Sequence, residues 1–217
     1  MKSVLFIVHG RLRNSGSWKR IWREVLSLNE WKSKVVFTEF TGHAAELVKE
    51  HLISQSFHAI VACGGDGTLH DCLNGWMQAK SSTPISILAF GTGNDFVKTL
   101  GLKGTWEEVK SAIQSGYIKP CDTLLVETKS MVKYGLNVTD IGIGGSVVQG
   151  IAHDSRSWGP FLTYQKNIIK SFFRFKASPA TFFMDGNKTQ KEKLFLLAIC
   201  NAQWFGSGLC IAPDAVL

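Results

Sequence analysis

Two short segments gather glycines around a carboxylate: Gly64-Gly65-Asp66-Gly67-Thr68 and Gly91-Thr92-Gly93-Asn94-Asp95. Each follows an apolar run, at 59–63 and 85–89, and each precedes residues with helical spacing, at 69–77 and 96–100. Glycines at a strand-to-helix junction let a phosphate reach the backbone, where amide N–H groups and a helix N-terminus bind anions. Thr68 adds a hydroxyl, as a donor or as a helix cap. Asp66 is the puzzle, because a carboxylate beside polyphosphate is repelled. A divalent cation, a sugar hydroxyl or a transferring group between them resolves it. A tight turn accounts for the first segment equally well, since Asp-Gly is a turn dipeptide. The second segment, at the same edge of a parallel sheet, tips the balance toward a site.

Such loops need a scaffold. Strands are expected at 3–9, 34–40, 59–63 and 85–89, and helices at 18–26 (capped by Ser17), 44–52, 69–77 and 96–100. Four alternations of strand and helix predict a parallel sheet covered on both faces. After about Pro120 the rhythm changes, with strands expected at 123–126, 135–143, 180–184 and 194–201. A hairpin turn is expected at 184–188 and a helix at 164–175. The expected organisation is an α/β domain at 1–121 followed by a β-rich domain at 122–217.

Bulk composition narrows the class. The 217 residues are 45% hydrophobic and 19% charged, which excludes an intrinsically disordered chain. Twenty-four Lys and Arg against seventeen Asp and Glu give +7, an excess that suits an anionic partner without choosing one. Five scattered cysteines (63, 72, 121, 200, 210) lack C-x-x-C or metal spacing and predict free thiols in a reducing cytoplasm. The opening MKSVLFIVHG has too short an apolar run for a signal peptide and is expected to be the first strand. No stretch approaches a bilayer span.

Other phosphate motifs are missing: no G-x-x-x-x-G-K-[ST], and no H-R-D or D-F-G set. The segment GIGGSVVQG (142–150) is half a dinucleotide fingerprint and is expected to be a structural turn. In the helix at 164–175, Lys166, Lys170 and Arg174 recur every four residues. A membrane-facing basic helix is one reading; a core-facing stripe of Ile168, Ile169, Phe172 and Phe173 with solvated charges behind it is preferred. His43 and His70 flank the expected cleft, and a contact from the backbone of His70 is preferred to one from its ring. Trp18, Trp22 and Trp31 are expected in the core.

GGDGT at 64–68 followed by GTGNDF at 91–96 resembles the diacylglycerol kinase catalytic domain shared by bacterial lipid kinases, sphingosine kinases and ceramide kinases. Further segments fall in the family's order: TEFTGHAAEL (38–47), Asn74-Gly75 closing the helix after the glycine loop, Asp122 entering the second domain, NVTDIGIGG (137–145) and NAQWFGSGLCIAPDA (201–215). GGDGT alone is shared with NAD kinases and phosphofructokinases, whereas its pairing with GTGNDF is specific. The resemblance implies a three-layer α/β domain of the NAD kinase and phosphofructokinase type, then a β-rich sandwich domain. It implies ATP-dependent phosphorylation of a lipid hydroxyl, diacylglycerol or sphingoid-like, with Mg²⁺. Carried over by position, Thr38, Gly64, Gly65, Asp66, Gly67, Thr68, Leu69, His70 and Thr92 would hold ATP. Asp66 and Asp95 would be the acidic groups of the catalytic cleft, and no residue is assigned to the metal.

The chain departs from the family pattern in places. RNSGS (13–17) stands for an Asn-Pro-x-Ser-Gly loop, His70-Asp71 for Asn-Glu, and Ala89-Phe90 where a proline precedes GTGNDF. APDAVL ends about two residues before the family's Asp-Gly metal motif, so weak nucleotide binding and poor phosphorylation are expected. The expected partner is a lipid at the membrane surface, with no nucleic acid. The expected location is the cytoplasm, peripheral to the inner membrane face, and a homodimer stays open. Three alternatives to a lipid kinase remain: a non-catalytic nucleotide- or lipid-binding module or truncated paralogue, an NAD kinase, and a basic nucleic-acid binder resting on charge alone.

Overall fold

The computed structural model describes residues 1–153 and 160–217. The first strand, β1 (Lys2–Val8), is buried along most of its length. Two neighbouring strands, β2 (Trp31–Phe37) and β3 (Ala59–Gly64), pair with it in parallel, and β4 (Ile85–Ala89) pairs with β3. The order is β2-β1-β3-β4.

Side chains of a buried strand alternate between two helical layers. Val4, Phe6 and Val8 face one cluster, built with Trp18, Ile21 and Val25 of α1 (Gly16–Leu26) and Trp106, Val109 and Ile113 of α5 (Trp106–Ser115). Leu5 and Ile7 face the other, built by α2 (His43–Ser54), α3 (Asp66–Gln78) and α4 (Asp95–Thr99) through Ala44, Val48, Leu69, Cys72, Phe96 and Val97. The three-layer α/β arrangement is therefore as expected. The tryptophans are core: Trp18 and Trp22 stack at 5.8 Å, and Trp31 meets Trp106 edge-on at 5.9 Å. Such pairs add roughly 0.5–1.5 kcal/mol each beyond area burial.

Several local expectations shift. The helix cap falls on Ser15 rather than Ser17, the two hydroxyls lying 2.7 Å apart. The second strand starts three residues earlier than expected and ends at Phe37, which leaves Thr38 at the sheet edge. Helix α3 begins at Asp66 and continues to Gln78, so Asn74-Gly75 lies inside the helix instead of closing it. The reason is packing. Buried Asn74 donates to the Tyr134 carbonyl (2.9 Å) and accepts from its N–H (3.0 Å), satisfying the edge of β6 (Val132–Gly135). Helix α5 has no counterpart among the expected elements, although Thr105 and Glu108 form a complete capping box at its start.

The chain forms two compact units, Met1–Asn137 with Asn201–Leu217, and Val138–Cys200. The composition change near residue 121 thus falls within the first unit. Asn201 anchors the returning segment by donating to the carbonyls of Asp122 and Leu136, both at 2.8 Å. The first unit also holds two antiparallel pairs, β5 (Leu124–Glu127) with β6 and β11 (Trp204–Phe205) with β12 (Leu209–Cys210). The second unit contains β7 (Val138–Gly142), α6 (Ile143–His153), α7 (Pro160–Arg174), β8 (Ser178–Met184), β9 (Asn187–Leu194) and β10 (Leu196–Cys200). GIGGSVVQG forms most of α6 rather than a turn. The hairpin turn does occur, with Asp185 (φ 50°) and Gly186 (φ 79°) joining β8 to β9.

All five cysteines are free. His51 is buried with neither ring nitrogen hydrogen-bonded, and desolvation, aided by Lys34, lowers its pKa below the ordinary 6.5. Its neutral ring is what the fold accommodates. In the window below 6.5 the unfolded chain binds the proton that the folded chain refuses, so stability is full above 6.5 and falls with pH. Urea midpoints measured from about pH 7.5 down to about pH 5.5 should therefore decline. A His51→Phe variant should decline less steeply; equal slopes would remove His51 as the cause.

Candidate functional site

In a parallel sheet all strands deliver their following loops to one edge. The order β2-β1-β3-β4 reverses direction between β1 and β3, and this switch point is where open α/β sheets form ligand crevices. The loops after β1 and β3 flank it. His9 N–H donates to the Cys63 carbonyl at 2.9 Å, closing the base of the crevice. Thr38, just past β2, donates its N–H to Val8 O (2.9 Å) and accepts the Gly10 N–H on Oγ1 (3.0 Å). Thr38 therefore shapes the loop after β1.

The glycine loops touch. A Cβ on Gly91 would lie 2.5 Å from the Gly65 Cα and 2.7 Å from Asn94 Oδ1, and a Cβ on Gly65 would lie 3.0 Å from the Gly91 Cα. Phe90 N–H donates to Gly64 O at 2.7 Å. Gly65 and Gly91 are thus required by the approach of one loop to the other. Asn94, itself left-handed (φ 51°), braces its loop by accepting from Gly91 N (3.1 Å) and donating to Gly91 O (2.8 Å).

Both carboxylates are occupied. Asp66 accepts the first two amides of α4, from Asp95 N to Oδ2 and Phe96 N to Oδ1, each at 3.1 Å. A carboxylate at a helix N-terminus is stabilised by those donors and by the helix dipole. Asp95 is 5% exposed and accepts from Lys98 Nζ on Oδ1 (3.0 Å) and from Ser207 N on Oδ2 (2.8 Å). The result is a chain of clamps from the loop at 64–68 through the loop at 91–95 to the turn at 206–208. Lys98 also lies 5.8 Å from the Trp204 ring centroid.

The remaining expected contacts divide. Thr68 and Leu69 are buried, at 6% and 4% exposure; Leu69 packs in the core and its N–H already donates to Gly65 O at 3.1 Å, so it offers a ligand no donor. Gly67 and Thr92 are exposed at the site. His70 is exposed overall, yet desolvation holds its pKa below 6.5, Asp71 opposing the shift and Lys133 adding to it. His43 is structural: its Nδ1 accepts from Glu39 N–H (3.1 Å) and its ring stacks on Phe40 at 4.4 Å. Asn94, Lys98 and Ser207 are contributors that sequence reasoning passed over. Asn94 had a signal, standing inside the motif itself; Ser207, more than a hundred residues away, had none.

What the arrangement offers is an anion cradle. The cap of α3 is Gly65, which has no side chain to satisfy the first-turn amides, so these donors face the open sheet edge. The crowded glycines and the helix start fit the phosphates of a nucleotide. Among the described residues no group of three or more His, Cys, Asp or Glu could hold a metal ion. Mg²⁺ bound mainly through phosphate oxygens and water is the chemistry this donor set fits.

The family model of the diacylglycerol kinase catalytic domain matches residues 3–126, more than half of the chain. A protein from Alcanivorax borkumensis with the name "Probable lipid kinase YegS-like" is 24% identical over 100% of this chain and 70% of its own length. Another of that name, from Pseudomonas syringae pv. syringae, is 36% identical over 124 residues, 57% of this chain and 39% of that protein. Two Staphylococcus epidermidis proteins with lipid-kinase names are 25% identical over 74% of this chain and 51% of theirs. The chain thus spans about half the length of these two curated relatives. A crystal structure of a diacylglycerol kinase from Bacillus anthracis shares the fold, with TM-score 0.68 and 23% identity over 99% of this chain and 69% of that one. With the glycine loop after β3 at the switch point and joined to the loop after β4, and the family match running from β1 into β5, this chain belongs to the diacylglycerol kinase catalytic domain family.

Proposed function

We propose that the chain is a lipid kinase that binds ATP with Mg²⁺ and directs the terminal phosphoryl group to a lipid hydroxyl. The observation that carries this reading is the contact of the two glycine loops after β3 and β4, beside the uncapped start of α3. Bound ATP supplies the phosphoryl group, with Mg²⁺ neutralising its charge. The chain's own part is positioning. Backbone amides at Asp66 to Thr68 hold phosphate oxygens, the exposed Thr92 hydroxyl adds a donor, and the Thr38–Gly10 contact fixes the loop opposite.

Asp66 and Asp95 act in this reading as clamps that keep the cradle's shape. Each already accepts two hydrogen bonds, which makes both poor proton acceptors for a substrate hydroxyl. That occupancy favours a second reading, a nucleotide-binding module with little turnover of its own. The lipid reaches the protein from the membrane surface, to which the chain binds peripherally from the cytoplasm. Among the described residues no helix is long and apolar enough to cross a membrane.

ATP consumption measured with diacylglycerol, sphingosine, ceramide and phosphatidylglycerol in turn separates the readings. Turnover with one lipid, lost in a Gly91→Val variant whose side chain forces the two glycine loops apart, is the expected result for the kinase. Mg·ATP binding without turnover on any lipid would establish the binding module instead. Absence of nucleotide binding would overturn both.

A further inference from the structure

Strand β2 lies at the edge of the parallel sheet, with β1 as its one neighbour among the described residues. The register decides which of its backbone groups that leaves free. Lys2 N–H donates to Glu30 O (2.8 Å) and Thr38 N–H to Val8 O (2.9 Å). By the alternation of a parallel ladder, Lys32, Lys34 and Val36 therefore turn their amides toward β1. Ser33, Val35 and Phe37 turn theirs outward, and among the described residues no group pairs with them. Such an edge is open to a further strand.

A groove runs beside this edge. Val35 and Phe37 point toward α1 and, with Trp22, give it a half-buried apolar lining. Its volume is about 480 Å³. Arg13, Lys19 and Arg23 are exposed along it, the Arg13 guanidinium lying 5.0 Å from the Phe37 ring centroid. An apolar groove between a helix and an open strand is suited to an extended peptide. Main-chain hydrogen bonds to the edge give affinity, and alternate side chains entering the groove give specificity.

Charge selects the occupant. On the opposite face of β2, Lys32 and Lys34 are exposed. The two carboxylates that flank the strand are engaged: Glu39 pairs with Arg13 at 3.8 Å, and Glu30 accepts from Gln114 at 3.0 Å. Among the described residues no carboxylate pairs with Lys19, Arg23, Lys32 or Lys34. A second copy pairing through its own β2 would bring the lysine rows together, and like charges across a strand pair are unfavourable. Lysines on an edge thus discourage self-pairing, while the same row attracts an acidic strand.

We infer that the β2 edge captures an extended segment of an acidic partner protein, in which apolar and acidic residues alternate. The apolar side chains enter the groove over Val35 and Phe37, and the acidic ones meet Lys32 and Lys34 on the other face. Carboxylates flanking the segment meet Arg13, Lys19 and Arg23. This surface belongs to the outer edge of the sheet and does not depend on nucleotide binding or turnover, so it is tested without ATP.

The probe is the fluorescein-labelled peptide Glu-Val-Glu-Ile-Glu-Val-Glu, titrated with the full chain and followed by anisotropy. Glu-Glu-Val-Ile-Val-Glu-Glu, of the same composition without the alternation, should bind more weakly. In the complex, NMR should show slowed amide exchange at Ser33, Val35 and Phe37, which charge attraction alone would not produce. A Lys32→Gln/Lys34→Gln variant should lose about tenfold in affinity for the alternating peptide. A Lys119→Gln/Lys129→Gln variant, with the same charge loss at other exposed positions, should bind as the native chain does. Val35→Pro removes an outward amide that the sheet does not use, and should abolish binding. Circular dichroism checks that it folds, and the lysine variant carries the test if it does not. Equal binding of the two peptides, unchanged exchange at the three amides, or native affinity in the Lys32/Lys34 variant would each overturn the proposal. So would a native chain that sediments as a dimer and becomes monomeric with Val35→Pro, because a second copy would then hold the edge.

Discussion

Asp66→Ala is expected to lose about 2–4 kcal/mol of folding stability as well as nucleotide binding. Its carboxylate takes both leading amides of α4, each at 3.1 Å, and bonds to a charged acceptor contribute about 1.5–3 kcal/mol apiece with incomplete additivity. Losing them frees the loop at 91–95 from the loop at 64–68, so the cradle opens. Asp66→Asn should be intermediate: one amide keeps its acceptor while the other meets an NH₂ group. Urea denaturation beside calorimetric titration with Mg·ATP checks both effects. An Asp66→Ala chain as stable as the native one, yet unable to turn over ATP, would show that Asp66 serves chemistry and not the clamp.

The second large effect is at Gly75, far from any ligand. A Cβ there would lie 2.9 Å from both the Cα and the carbonyl carbon of Ala45, and closer still to its oxygen. These are backbone atoms of α2, so the collision cannot be relieved by rotating a side chain. The helices must separate, disturbing the contacts of Ala44 and Val48 with the sheet. Gly75→Val should therefore cost about 3 kcal/mol or more, toward the upper end for overpacked cores. Gly75→Ala is the sharper test, because in an isolated helix this change gains about 1 kcal/mol. Thermal unfolding should show Gly75→Ala less stable than the native chain. A stabilised variant would mean that α2 and α3 do not pass this closely.

The same residues show where sequence reasoning reached its limit. The Asn74-Gly75 pair carries the familiar signature of a helix end, since both residues are poor helix formers. Tertiary contacts outweighed propensity. Asn74 found a strand edge to satisfy, Gly75 found a helix to admit, and α3 runs on past both. Helix α7 shows the reverse error: its apolar residues were expected in the core because apolar periodicity defines a buried face. Packing against α6 instead buried Asn167 and Ser171, polar residues that no hydropathy pattern would select. The capping box opening α5 was legible and was passed over.

The sequence by itself determined the alternation of buried strands and helices, hence the three-layer parallel sheet. It also determined that two glycine-rich loops would emerge at one edge of that sheet. Both follow from local physics: side-chain periodicity selects the elements, and parallel pairing sends every following loop to the same side. Tertiary structure alone decided what the glycines and aspartates do. Gly65 and Gly91 are small because the loops touch, Asp66 caps α4, and Asp95 holds Ser207 from more than a hundred residues away. Such roles depend on distances between segments that the chain order does not encode. The Asp66 carboxylate, singled out in sequence for its chemistry, accepts the two leading amides of α4 in the folded chain and so ties one glycine loop to the other.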